Sequence, residues 1–360
     1  MHTRPSAHAL VLALVLGAAL GCSDTNAPLP EPQEVLLVVN STGNTLSIVP
    51  VETPNAGIQV PLGGTTPTPV GVSARDGIGL VPLGLDNAVA VIDLRAAAVL
   101  RRIPLPDNSG ATGSTIVDDS IAYVGNPNLN TVSRVNYLTG VTSEVPVGVF
   151  PQGLIYTRGQ VFVLNGNLEN FSVVGPSWLT VVDPATNARA AGIDSIPLTG
   201  EGNAGFADVG PDGLLYVMNT GDFFSGEGRL SVIDPLGRTE VASYAGFGTG
   251  PGNVAADPDG LLFVSSFAEG VMTFSLDSNT VVRGVGEGLK FASGNSAVAV
   301  DSKGRAYGIE SGPCSGGRRG RAHVLDATLA ETAAATLAET ATIVLGECSS
   351  GAAVVQIPPE

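Results

Sequence analysis

The feature that most limits what this chain can fold into is a repeat. Apolar runs closed by an asparagine or another polar turn residue begin near Val35, Gly79, Ile121, Val161, Leu214, Leu261 and Arg305, at spacings of 40 to 53 residues. Each unit holds four short β-like runs. From Leu214 onward they are Leu214–Asn219, Leu230–Pro235, Glu240–Tyr244 and Asn253–Ala256, and then the turn Asp257-Pro258-Asp259-Gly260. Val, Ile, Leu and aromatic residues fill the runs, while Gly, Pro, Asn and Asp bound them, which is the punctuation of strands. One such unit cannot bury its apolar faces alone, so the units must stack on each other. Four strands per unit and seven units predict an all-β chain folded as a seven-bladed β-propeller.

The start of the chain reads as an address. Arg4 precedes an apolar stretch from Ala9 to Leu20, too short for a membrane-spanning helix but suited to the apolar region of an export signal. It ends in Ala18-Ala19-Leu20-Gly21-Cys22, which resembles the lipobox of bacterial lipoproteins. The resemblance implies a signal over 1–21, lipidation of Cys22, and a membrane partnership through that lipid. Residues 22–34, with Pro28, Pro30 and Pro32, then form a stiff tether, and 35–360 form the propeller. Ser23 stands where such proteins carry an aspartate for inner-membrane retention, so the outer membrane or cell surface is expected. The chain has 33 acidic and 17 basic side chains, two of them lysine. A net charge of −16 repels nucleic acid backbones and excludes that class of partner.

The repeat units resemble the YVTN repeat of surface-layer-like and YncE-like β-propellers. Its opening is matched by Tyr123-Val124-Gly125-Asn126, Phe162-Val163-Leu164-Asn165 and Tyr216-Val217-Met218-Asn219. The next strand and turn are matched by Leu179-Thr180-Val181-Val182-Asp183-Pro184 and by Ala90-Val91-Ile92-Asp93, and Pro151-Gln152-Gly153-Leu154-Ile155 resembles the strand before the opening. Val81-Pro82-Leu83, Val264-Ser265-Ser266 and Gly308-Ile309-Glu310 depart from the pattern in units two, six and seven.

Recurrent polar residues have structural explanations. Asp93, Asp183, Asp234, Asp277 and Asp326 are expected to end a third strand and cap the turn after it. Asn40, Asn126, Asn165 and Asn219 are expected to brace the loop after the second strand, with Asn165 also a candidate ligand contact. The repeated segment 327–341 (Ala-Thr-Leu-Ala-Glu-Thr-Ala, twice) reads as a lengthened turn, with helix as an option. With Cys22 lipidated, Cys314 and Cys348 remain, and in an exported protein they are expected to pair as a disulfide. Their two loops should emerge on one face.

Catalytic chemistry is sparse. His323 is the one histidine left after removal of the signal, which excludes a histidine metal cluster. No phosphate-binding loop, haem motif or dinucleotide fingerprint is present. No cofactor is expected; calcium is the one candidate, and the aspartate turns lack the distant glutamate of a calcium loop. Long loops follow the second strand of units four, five and seven and should share a face. Their candidate binding residues are Glu169, Phe171 and Trp178, then Asp222, Phe223, Phe224 and Glu227, then Arg318, Arg319 and Arg321. The expected function is a monomeric, envelope-located binding module for an envelope protein or small ligand. A lactonase-like hydrolase or ligand sensor at the channel mouth, and a passive surface-coat component, are the alternatives.

The chain starts on a second strand and ends, at Gly351-Ala352-Ala353-Val354-Val355-Gln356-Ile357, on a first strand. The last segment should therefore complete blade one and remove an open edge. Truncation after Ser350 is expected to lower and broaden the thermal transition; an unchanged midpoint and cooperativity in calorimetry would contradict this closure.

Overall fold

The computed structural model describes residues 32–224, 228–329 and 335–359. Seven antiparallel sheets follow one another around the ring, and the expected seven-bladed β-propeller is the observed fold. The one helical turn among the described residues is a 3-10 turn at Pro54–Ala56. Strands run A, B, C and D from the axis outward. In blade five these are Ala204–Val209, Leu215–Asn219, Arg229–Asp234 and Thr239–Tyr244. Blade four departs in detail, its outer strand being broken into Ala188–Arg189 and Ser195–Pro197, both paired with Trp178–Asp183.

The B strands are apolar without alternation because each sheet packs on two neighbours. In blade one (strand B, Gln33–Asn40) Val35, Leu37 and Val39 pack with Val81, Leu83 and Ile92 of blade two. Leu36 and Val38, on the opposite side, pack with Tyr307, Ile309 and Ala322 of blade seven. A separate apolar cluster of this kind fills every blade boundary. Burial of each such side chain contributes roughly 1.5–3 kcal/mol.

Near the axis the A strands crowd, and glycine answers the crowding. Gly351, Gly71, Gly113 and Gly153 take the same place in blades one to four. A side chain at Gly351, Gly113 or Gly153 would press directly on the carbonyl oxygen of Val70, Gln152 or Gly205 in the next blade. At Gly71 it would lie 3.3 Å from the Thr112 carbonyl. The pattern ends in blade five, where Phe206 takes the place and projects into the mouth of the channel.

The ring closes as expected. The C-terminal strand Ser349–Ile357 pairs with strand B of blade one from Gln33↔Ile357 to Asn40↔Ser349. Strand B therefore begins at Gln33, two residues earlier than the sequence boundary, because the closing strand is long enough to pair them. The disulfide Cys314–Cys348 ties the closing segment to the B–C loop of blade seven, with Cα atoms 4.3 Å apart. On the opposite face Ser302 donates to Glu34 through its amide and hydroxyl, both at 2.9 Å. Lys303 and Arg305 meet Glu52 at 2.9 and 2.7 Å.

Two of the five expected turn caps are corrected. Asp93, Asp183 and Asp234 do accept from backbone amides two residues on, at 2.9 Å each. In blade six the position belongs to Ser275, whose hydroxyl accepts from the Ser278 amide at 3.2 Å, and Asp277 lies beyond it. Asp326 does not end its strand. Strands C and D of blade seven extend to Arg319–Leu329 and Ala335–Glu347, and the two copies of the tandem pair with each other, Ala327↔Leu337 and Thr328↔Thr336. The helix option is thus replaced by a long β-hairpin. An existing strand pair offers a template that the weak helix preference of an Ala/Thr/Leu/Glu segment does not overcome.

Gly153→Ala is expected to cost about 1–3 kcal/mol through overpacking at the axis. It should be read as a lower denaturant midpoint with an unchanged m-value.

Candidate functional site

A buried polar slot recurs where strand B ends. In blade three the Asn126 amide donates to Thr131 and Ser133 at 3.0 and 2.9 Å. Blade one repeats this with Asn40, Thr45 and Ser47. Asn219 donates to Ser231 at 3.0 Å, and Asn165 to Thr180 at 3.0 Å and the Trp178 carbonyl at 2.9 Å. The Asn165 carbonyl oxygen accepts from the Gly148 amide. Asn165 is fully buried, so it braces its loop and does not reach the surface.

Blade seven fills the same slot with ionisable groups. Glu310 stands in the asparagine position and His323 in the Ser/Thr position, their side chains 3.1 Å apart. The other ring nitrogen of His323 lies 3.1 Å from Glu339 of the tandem hairpin, and the ring stacks on Phe291 at 3.9 Å. Burial pushes the Glu310 carboxyl up, but the His323 and Ser293 hydrogen bonds outweigh it and hold it below the usual range. Thr342 and His323 do the same for Glu339. Sequence reasoning singled out His323 as the one histidine left but missed both partners. The signal was Glu310 standing where four other blades carry asparagine.

The B–C and D–A loops share one face, and the long loops of blades four and five lie side by side on it. Asn203, on the connection between these blades, donates its amide to Gly166 at 2.6 Å and its side chain to Gly221 at 3.1 Å. Glu169 lies on a small hairpin (Leu168–Glu169 with Ser172–Val173) whose tip is Asn170-Phe171, both at positive φ as a tight turn requires. Phe171 is 76 % exposed and meets Phe150 edge-on at 5.7 Å. Asp222 accepts from the Phe224 amide at 2.8 Å, and Phe223 and Phe224 are 54 % and 93 % exposed. Glu227 lies outside the described residues.

Three of the expected contacts sit elsewhere. Trp178 begins strand C, half-buried, with its ring laid on Gly148, where no side chain would fit. It is packing between blades, not a loop anchor. The arginines do not converge. Arg319 turns into a groove of about 480 Å³ between the outer edges of blades seven and one, beside Ile58 and Val344. Arg321 pairs with Glu310 at 3.5 Å, which leaves Arg318 on the loop.

Among the described residues the channel is lined by small side chains together with Gln152, Leu154, Ile155, Phe206 and Asn253, and Asp208 is the carboxylate in that lining. Asp208, on strand A of blade five, accepts from the Val209 amide at 2.8 Å and the Ala256 amide of blade six at 2.9 Å. Enclosure by the channel wall raises its pKa to about 6, the two amides opposing the shift only in part. Asn253 makes the corresponding bond to the Val298 amide of blade seven at 3.1 Å. Both residues bridge adjacent inner strands. Among the described residues no three His, Cys, Asp or Glu side chains gather in a way that would hold a metal ion.

No protein-family model matches the chain, and no curated protein is detectably related to it in sequence. Solved structures do resemble it. Kuenenia stuttgartiensis hydrazine synthase aligns with a TM-score of 0.60 at 16 % identity, covering 73 % of this chain and 78 % of that one. At this identity the likeness concerns the fold alone. The same propeller architecture serves unrelated functions, so the site must carry the argument.

Asp208 has a folded-state pKa above its unfolded value, so folding takes up a proton between about pH 4 and 6. Its contribution favours the folded state at low pH and is lost as pH rises through 6. In carbon-detected NMR the Asp208 carboxyl is expected to titrate near pH 6, and a midpoint near 4 would contradict this assignment.

Proposed function

We propose that the protein is an exported, lipid-anchored binding module whose long-loop face engages a polypeptide partner in the cell envelope. One observation carries this reading. Five phenylalanines are exposed among the described residues, Phe171, Phe206, Phe223, Phe224 and Phe267. Four lie on loops of one face, and the fifth lies at the channel mouth on the same side. Exposed aromatic side chains on a rigid scaffold are suited to anchor an interface. The resemblance to surface-layer-like propellers and the lipobox-like Cys22 support the envelope location.

The anchor adds a direction. Strand B of blade one starts at the tight-turn face, so a tether from Cys22 would enter there. The ten Cα–Cα steps from Cys22 to Pro32 span at most about 35 Å. The lipid would therefore hold the tight-turn face toward the bilayer and leave the phenylalanine-bearing face free for a partner.

The test is affinity capture from the detergent-solubilised native envelope, with identification by mass spectrometry. Wild type is expected to hold a partner that the Phe171→Ala/Phe223→Ala/Phe224→Ala variant releases by at least about tenfold, or roughly 1.4 kcal/mol. These positions lie outside the apolar clusters between blades, the Phe171–Phe150 contact being on the loop surface, whereas Trp178→Ala would confound the result by destabilising the blade. Equal recovery from both proteins would move the site away from this face.

A further inference from the structure

We propose that the cleft between the long loops of blades four and five is a socket for a basic side chain of the partner, an arginine or lysine set among apolar residues. This rests on the loop-face reading above and gives it a chemistry. One wall of the cleft is Val173, Val174, Gly175 and Pro176; the other is Gly200, Glu201 and Asp222, and the volume is about 350 Å³. An aliphatic stem ending in a cation needs this pairing of an apolar wall with carboxylates at the far side.

The cleft is built before any partner arrives. Gly221 donates to Gly202 at 3.1 Å, and Ala204 to the Ser177 hydroxyl at 2.9 Å, so both loops are fastened to the connection between their blades. Asp222 is held in place by the Phe224 amide. Such fixing lowers the ordering cost of binding. Glu201 is exposed and makes no ion pair among the described residues. Arg229, whose side chain passes beside Gly200, is bonded instead to Ser243 at 3.1 Å. Arg229 keeps its charge there, but Glu201, Asp222 and Glu240, whose carboxylate accepts from the Thr199 amide at 3.1 Å, outnumber it. The local field is therefore acidic, and the net charge of −16 steers cationic partners inward and repels an anionic lipid surface. Phe171 stands two residues before the apolar wall and Phe223 directly after Asp222, which places apolar anchors beside the socket.

The experiment measures binding of the full chain to nine-residue peptide pools by fluorescence anisotropy. The pools differ only in a fixed central residue: arginine, lysine, norleucine or glutamate. At low salt the arginine and lysine pools are expected to bind about tenfold more tightly than norleucine, and the gap should shrink at about 0.5 M salt. Glu201→Gln should remove most of that gap, while Phe223→Ala/Phe224→Ala should weaken the arginine, lysine and norleucine pools alike. Equal binding of arginine and norleucine pools, still lost in the phenylalanine variant, would overturn the socket and leave the loop-face reading standing. A gap that survives Glu201→Gln would also overturn the socket. Binding of no pool, with binding of phosphatidylglycerol vesicles instead, would overturn both.

Discussion

Everything in this molecule depends on how closely seven inner strands can approach one axis. Each A strand touches the next, and in blades one to four the contact is glycine against a backbone carbonyl. No side chain separates them, so the wedge angle between blades is set by the backbone. Wider contacts further out, made by paired apolar layers on both faces of every sheet, then fill the boundaries. Asp208 and Asn253 tie the inner strands where the glycine pattern gives way. An enclosed carboxylate is a costly way to bridge two strands, which is why its pKa is raised and why folding energy and pH are linked there.

Blade seven is where the ring is fastened, and it differs from the others in most of its chemistry. Its slot holds Glu310 and His323 in place of an amide and a hydroxyl, its outer hairpin is extended by a tandem, and its loop carries one half of the disulfide. The disulfide secures the closing strand at the loop face, and Glu34 and Glu52 secure blade one at the opposite face. A closed ring leaves no end blade to fray, so both termini gain from the whole circuit. That rigidity also lets loops of very different length sit on one face without disturbing the sheets.

The two faces have separate roles as a result. Turns capped by aspartate, asparagine or serine, with the extended hairpin of blade seven, finish one face, and variable loops with exposed phenylalanines finish the other. The proposed partner chemistry belongs to the second face, where two loops meet across a connection that fixes both.

What the sequence determined by itself was the architecture. Period, strand count and the phase of the two ends were all legible, because unbroken apolar runs such as Leu36-Leu37-Val38-Val39 are the direct consequence of packing on both faces. The pairing of Cys314 with Cys348 followed from the same alignment of loops. Local turn chemistry was mostly legible too, as Asp93, Asp183 and Asp234 act on residues two positions away. The tertiary structure decided what depends on distant neighbours. Trp178 was read as a loop anchor but lies on Gly148, thirty residues earlier in the chain, and the three arginines scatter because Arg318 precedes the strand and a register shift separates Arg319 from Arg321. The tandem became a hairpin because strands C and D already stood side by side to template it. The socket of Glu201 with Val173 and Val174 was equally hidden, since its walls come from separate loops that only the stacking of two blades brings together.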